Sequence, residues 1–144
     1  MGSEEGVSAA ARRKISVLIA DDHPVLRHGL SKLLEEQPDI QVVGEAGDGQ
    51  TVIELARKLK PDVVLMDVSL PVVNGCEATR QILFEFPNIR VIGLSMHEEA
   101  EMAASMCSAG AVAYLTKGGP IEPLIAAIRA QVTAGTLKFS QQAG

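Results

Sequence analysis

Short apolar runs and segments of helical period alternate five times along the chain, and this alternation limits the possible fold more than any other feature. Continuous apolar character is typical of strands that are covered on both faces. The pattern therefore predicts an α/β domain with a parallel sheet and crossover helices. The predicted strands are Ile15 to Ala20, Ile40 to Ala46, Val63 to Met66, Ile89 to Leu94 and Val112 to Leu115.

Five such units joined by right-handed crossovers form a three-layer, doubly wound sandwich. We predict the flavodoxin-like strand order 2-1-3-4-5, although periodicity alone leaves open the order of a Rossmann half. Pro24 and Pro120 suit first-turn positions of helices, and the last helical pattern ends near Ala134. The chain is therefore predicted to have a flexible N-terminal segment (1–13), one domain (14–134) and a C-terminal tail or start of a linker (135–144).

Composition and charge argue against several classes of function. The formal net charge of −5 offers no positive surface for a nucleic-acid backbone, so we expect no nucleic-acid contact by this chain. No apolar run approaches the roughly 20 residues of a membrane span. The two cysteines, Cys76 and Cys107, have no metal-binding spacing and are expected to be reduced packing residues, which predicts a cytoplasmic protein.

Polar side chains follow four of the predicted strands, at the edge where ligands bind in sheets of this kind. They are Asp21, Asp22, Asp67, Ser95 and Lys117. Carboxylates held close together repel one another unless a cation joins them, and oxygen-rich sites of this type suit Mg²⁺. Asp67 can then act as a carboxylate nucleophile, with Lys117 and the Ser95 hydroxyl binding oxygens of a transferred phosphoryl group.

Taken together, these residues resemble the response-regulator receiver domain of two-component systems over residues 14 to 134. The motifs that carry the resemblance are Asp21-Asp22, Met66-Asp67 with Pro71 and Asn74-Gly75 following, Ser95, and Lys117. The runs Ala20-Asp21-Asp22-His23-Pro24, Ala109-Gly110-Ala111 and Tyr114-Leu115-Thr116-Lys117 are similar to the NarL/FixJ (LuxR-type) branch.

The resemblance implies a phosphorylation switch. It implies that Asp67 takes a phosphoryl group from the phosphohistidine of a sensor histidine kinase or phosphotransfer protein. No enzymatic activity is implied beyond self-catalysed phosphoryl uptake and slow autodephosphorylation. The metal ligands implied for Mg²⁺ are Asp22 directly, Asp21 through water, Asp67, and the backbone carbonyl of Ser69.

Further roles follow from the same resemblance. Ser95 and Lys117 would bind the phosphoryl oxygens. Ser95 and Tyr114 would form the switch that reports phosphorylation to the surface of the fourth helix, fifth strand and fifth helix, and Ser69 and His97 would tune dephosphorylation. Homodimerisation on phosphorylation is plausible, and the output, transcription through a DNA-binding domain, is expected to lie outside these 144 residues.

Three polar residues of the chain have interpretations other than a role in the site. Asp48 and Asp62 are expected to be helix caps or turn residues, and His23 is expected to lie beside the acidic rim rather than to bind a metal.

A haloacid-dehalogenase-like phosphatase is the first alternative to a receiver function. The two aspartates of such a phosphatase stand two residues apart, whereas Asp21 and Asp22 are adjacent. A pseudo-receiver that only binds partners is the second, and such a domain normally loses an acidic or lysine position.

Overall fold

The computed structural model describes residues 13–95 and 100–143, which form five strands and five helices in strict alternation. The sheet is parallel with the order β2-β1-β3-β4-β5, which confirms the predicted flavodoxin-like topology and excludes the order of a Rossmann half. The elements are β1 (Ile15–Ala20), α1 (Pro24–Glu35), β2 (Ile40–Ala46), α2 (Gly49–Leu59), β3 (Val63–Asp67), α3 (Gly75–Glu85), β4 (Arg90–Ser95), α4 (Ala100–Ala109), β5 (Ala113–Thr116) and α5 (Glu122–Ala143).

Two apolar cores lie on opposite faces of the sheet, because successive strand side chains alternate in direction. Val17 and Ile19 of β1 pack with residues of α1 and α5, including Leu34, Ile125 and Ile128. Leu18 and Ala20 pack on the other face with residues of α2, α3 and α4, including Ile53, Ile82 and Met106. The sheet is thus covered on both sides, and its strand ends are left as the place where polar groups can gather.

The strand bounds agree with the prediction within one residue. The first two strands have the predicted bounds, and β3 extends one residue further, to Asp67. The strands β4 and β5 begin and end one residue later than predicted, at Arg90–Ser95 and Ala113–Thr116. The polar residues Asp67, Ser95 and Thr116 still take part in the backbone ladder. The last predicted apolar residue therefore marks the end of the apolar core, and the strand continues to the carboxyl edge of the sheet.

The last helix departs from the prediction. It runs to Ala143 rather than ending near Ala134, so that predicted end is wrong. Helical hydrogen bonds need no apolar partner, and Ala, Leu, Lys and Gln beyond residue 134 favour a helix. Pro120 precedes this helix, and Pro123 occupies its first turn instead. The division at residue 134 stays a prediction, and residues 1–12 of the predicted N-terminal segment lie outside the described residues.

Among the helices in the described ranges, none combines the length and apolar character needed to cross a membrane.

Candidate functional site

Strand register brings the predicted site residues to one edge of the sheet. Ala20 pairs with Met66, so the next residues, Asp21 and Asp67, lie side by side. On the other side of β3, the end of β4 pairs with the end of β5, and Lys117 follows. The backbone N–H of Lys117 donates to the carbonyl of Ser95 at 2.6 Å, which fixes the start of the following loop beside β4.

Lys117 bridges the two buried carboxylates. Its Nζ lies 2.8 Å from Asp67 Oδ2 and 2.9 Å from Asp21 Oδ2. The lysine side chain is only 7% exposed and each aspartate side chain only 3%, so water screens these charges weakly. The ammonium has three donors, and these two hydrogen bonds use two of them.

The second oxygen of each carboxylate is held by the main chain. Asp21 Oδ1 accepts the backbone N–H of His23 at 2.9 Å, and Asp67 Oδ1 accepts that of Ser69 at the same distance. In both cases the N–H of the residue two positions on donates to the aspartate side chain, which is the geometry of an Asx-turn. The orientation of each carboxylate is therefore set by its own loop on one side and by Lys117 on the other.

The hydrogen bonds stabilise the charged forms of the buried groups. Burial opposes ionisation of Asp21, but the His23 N–H and Lys117 outweigh it and lower the pKa of Asp21 below its ordinary value. Burial likewise disfavours the ammonium of Lys117, yet Asp67 and Asp21 together raise the pKa of this group. The site thus holds an ionised Asp21 beside a protonated lysine at neutral pH.

The donor set fits a divalent cation. Oxygens of Asp21, Asp22 and Asp67 and a ring nitrogen of His23 all lie within 4.8 Å of one another. Three carboxylates beside the single ammonium of Lys117 leave two formal negative charges, which one divalent ion would balance. Asp22 is the most exposed of the three acids, so a metal there would keep access to water.

Arg27 belongs to this site, although no motif in the sequence points to it. From the first turns of α1, its Nη1 donates to the backbone carbonyl of Asp21 at 2.7 Å, and its Nε donates to Glu45 Oε1 at 2.9 Å. The guanidinium is largely buried. The loop that carries Asp21 and Asp22 is therefore fastened to α1 and β2 by this arginine.

Replacing Arg27 by alanine is expected to weaken Mg²⁺ binding about tenfold, because residues that orient ligands typically contribute to this extent. Isothermal titration calorimetry measures the affinity, and Arg27→Lys should recover only part of it. Arg57→Ala is a matched control, since Arg57 also pairs with a glutamate, Glu85, but on the surface. Equal Mg²⁺ affinities in the Arg27→Ala and wild-type proteins would show that the hydrogen bonds of Arg27 have no role in Mg²⁺ binding.

The loop between β3 and α3 packs against the backbone of Asp67. A Cβ on Gly75 would overlap the carbonyl oxygen of Asp67 and lie 2.8 Å from Val68 Cα. Asn74 caps α3 by accepting the N–H of Glu77 at 2.9 Å. The Asn74-Gly75 pair therefore starts the helix and lets it begin directly against the main chain of the central aspartate.

The other predicted site residues lie at different distances from the acidic cluster. Ser95 is buried at the end of β4, and Ser69 is exposed in the loop after Asp67. Tyr114 is half-buried on β5 with its ring over Gly93, where an added Cβ would lie 2.8 Å from the ring. His97 lies outside the described residues. Asp48 caps α2 through the N–H of Thr51 at 2.7 Å, which confirms its plainer interpretation.

An apolar groove opens beside the acidic cluster. It has a volume of about 570 Å³ and lies between α1 and the loop that joins β5 to α5, with Asp21 and Lys117 among its lining residues. Val25 on its rim is 85% exposed. Large apolar side chains are thus presented to solvent next to the buried charges.

Comparison with known proteins gives one consistent result. The family model of the response regulator receiver domain matches residues 17–129. The chain is 44% identical over 128 residues to the response regulator GacA of Pseudomonas aeruginosa and 37% identical over 122 residues to the transcriptional regulatory protein DegU of Brevibacillus brevis. A two-component response regulator of the LuxR family from Aurantimonas sp. has a similar structure, with a TM-score of 0.79 and 37% identity.

The matches cover most of this chain but different shares of the related proteins. The first match covers 89% of this chain and 59% of GacA, and the second covers 85% of this chain and 52% of DegU. The chain therefore spans a little over half the length of these relatives. The structural match covers 85% of this chain and 86% of the Aurantimonas chain.

Proposed function

This chain belongs to the response regulator receiver domain family, and on that premise we propose that Asp67 is its phosphoacceptor. The resemblance inferred from the residues is confirmed at the level of the family, and a LuxR-family relative agrees with the predicted branch. The observation that carries the proposal is the bridge from Lys117 Nζ to Asp67 Oδ2 and Asp21 Oδ2. It places a fixed positive charge beside a buried carboxylate.

The proposed reaction is a phosphoryl transfer from a phosphohistidine. An Asp67 carboxylate oxygen forms a bond to phosphorus while the bond from phosphorus to the donor ring breaks, and the ring, protonated on its other nitrogen, leaves with that electron pair as neutral imidazole. The third N–H of Lys117 is available for an oxygen of the incoming group. The Ser69 N–H holds Asp67 Oδ1, so the carboxylate is oriented before the donor arrives. Ser95, at the end of the neighbouring strand, is the proposed second contact to the phosphoryl oxygens.

Mg²⁺ is the proposed cofactor, held by Asp21, Asp22, Asp67 and the backbone carbonyl of Ser69. When bound, it would neutralise charge on the phosphoryl oxygens during transfer. Asp21 and Asp67 are preoriented by backbone N–H groups, and Asp22 lies at the solvent side. Ser69 and His97 remain the proposed residues that tune the later loss of the phosphoryl group.

Phosphorylation from a sensor kinase or phosphotransfer protein requires that a phosphohistidine reach Asp67. Asp21 and Lys117 line the apolar groove beside α1, which makes it a suitable contact surface for the donor. Transcription controlled through a DNA-binding domain in a longer protein is the proposed output, supported by the similarity to a transcriptional regulatory protein. A homodimer formed on phosphorylation remains a proposal that light scattering with a phosphoryl mimic would test.

The proposed switch couples Ser95 to Tyr114. The Tyr114 hydroxyl is buried without a hydrogen-bond partner among the described residues, and a buried hydroxyl left in this state is unfavourable. The ring is therefore not fixed by its polar end and can exchange with an outward position. Movement of Ser95 towards a phosphoryl group would leave more room for the inward position.

Phosphorylation is expected to reduce quenching of the Tyr114 fluorescence by iodide. The chain has one tyrosine and no tryptophan, so this emission reports one site without a label. Gly93→Ala should increase quenching, because its Cβ would crowd the inward ring. Unchanged quenching after complete phosphorylation would remove Tyr114 from the switch.

Mass spectrometry after incubation with acetyl phosphate and Mg²⁺ tests the phosphoacceptor. We expect one phosphoryl adduct, which Asp67→Asn abolishes and EDTA prevents. Asp48→Asn is the control, because asparagine also caps helices and Asp48 lies outside the acidic cluster. An adduct that persists in Asp67→Asn would overturn the assignment. Rapid turnover of small phosphate esters would favour a phosphatase, and the absence of any adduct would favour a pseudo-receiver.

A further inference from the structure

The imidazole of His23 lies between two of the carboxylates. Its Nδ1 is 3.1 Å from Asp21 Oδ1 and 3.1 Å from Asp22 Oδ1. A ring N–H shared between both carboxylates would form a three-centre hydrogen bond, which is longer than the roughly 2.7–2.9 Å usual for a charge-assisted one. Such a shared hydrogen bond accounts for the position of the ring when no metal is bound.

The same distances match those between ligands of one metal ion. Two ligands at right angles on an ion with bonds of about 2.1 Å lie roughly 3 Å apart. The backbone of His23 is also fixed beside the site, because its N–H donates to Asp21 Oδ1 at 2.9 Å. The side chain is 57% exposed, so binding a metal would require little further desolvation.

From this geometry we propose that His23 Nδ1 is a ligand of the cation held by Asp21, Asp22 and Asp67, and that the site accepts nitrogen-binding divalent ions such as Ni²⁺ and Co²⁺. The inference rests on the proposed metal role of the three carboxylates. Imidazole suits Ni²⁺ and related ions, whereas Mg²⁺ prefers oxygen ligands and retains its waters. His23 thus determines which metals bind tightly while leaving Mg²⁺ binding to the carboxylates.

Isothermal titration calorimetry with Ni²⁺ and with Mg²⁺ separates these contributions. In His23→Asn we expect Ni²⁺ affinity to fall about tenfold or more, and Mg²⁺ affinity to change by less than about twofold. Asparagine suits this helix N-cap position, so the fold should be retained. His28→Asn is the matched control, since His28 is a similarly exposed histidine on α1 that pairs with Glu45 instead. Equal losses for both metals, or no loss for Ni²⁺, would overturn the proposal.

Pulsed electron paramagnetic resonance of bound Mn²⁺ gives a direct readout. A directly bound imidazole produces a nitrogen coupling, which we expect in the wild type and not in His23→Asn. The chain has three histidines, so His28→Asn and His97→Asn, which should both keep the coupling, complete the assignment. Persistence of the coupling in His23→Asn would refute ligation by His23.

Different results would disprove the proposed His23 ligand and the proposed carboxylate metal site. If His23 is not a ligand, His23→Asn behaves as wild type with Ni²⁺, and acetyl phosphate with Mg²⁺ still gives an adduct that depends on Asp67. If the carboxylates are not a metal site, wild-type protein binds neither Mg²⁺ nor Ni²⁺ at this position. The second result would overturn both proposals.

Discussion

Gly75→Ala is expected to destabilise the fold by roughly 1–3 kcal/mol, the range for an extra group forced into a well-packed interior. The added Cβ would overlap the carbonyl oxygen of Asp67, and a main-chain atom cannot move aside as a flexible side chain can. Either the start of α3 or the end of β3 must shift. Urea denaturation followed by circular dichroism measures the loss.

The same substitution should slow phosphoryl uptake by up to about 100-fold, because a displacement of about 1 Å in a reacting group has effects of this size. Gly29→Ala is the control: Gly29 lies within α1 and nothing lies within 4 Å of its added Cβ. That control should gain up to about 1 kcal/mol from the better helix propensity of alanine. Equal stability and equal rates of phosphoryl uptake in Gly75→Ala and wild type would mean that the loop adjusts without moving Asp67.

Lys117→Met is expected to destabilise the protein by about 3 kcal/mol in EDTA, since removal of one partner leaves buried charges unpaired. Both carboxylates that it bridges are almost fully buried. Adding Mg²⁺ should restore much of this stability, because the metal replaces the lost positive charge. Phosphoryl uptake should remain slow even with Mg²⁺, since no cation of the protein would contact the incoming group.

Denaturation in EDTA and in Mg²⁺ measures both effects, with Lys58→Met on the exposed face of α2 as the control. The contribution of Lys117 also has a defined pH range. Because the pKa of Lys117 is raised, its charge contributes fully to stability below pH 10.5, and this contribution is lost as the pH rises further. The lowered pKa of Asp21 keeps its contribution above pH 3.8, and this is lost as the pH falls further. If Lys117→Met were as stable as wild type in EDTA between these values, the bridge would have no net stabilising effect.

Much of this arrangement could be predicted from the sequence, because buried strands and site residues leave local patterns. The apolar runs indicate the strands, and the rule that ligands bind at the carboxyl ends of strands predicts Asp21, Asp67 and Lys117 to lie together. The runs ended one residue early at β3 and β4, since Asp67 and Ser95 remain in the backbone ladder while their polarity ends the apolar pattern.

Other features depend on contacts between distant parts of the chain. Arg27 binds the carbonyl of Asp21 and the side chain of Glu45, and no local pattern marks such a contact. The close approach of Gly75 to Asp67 is similarly a tertiary relation, although the Asn-Gly pair indicated a turn. The extension of α5 to Ala143 leaves no clear signal in the sequence, because the apolar residues with helical period end before residue 135.

Both buried aspartates are oriented by backbone N–H groups, those of His23 and Ser69, rather than by the side chains of these residues. Any amino acid except proline supplies the same N–H. Positions 23 and 69 can therefore change their side chains during evolution while the carboxylates keep their directions. Under the roles proposed above, side chains at these two positions can vary the metal preference and the lifetime of the phosphoryl group, while the orientation of both buried carboxylates is retained.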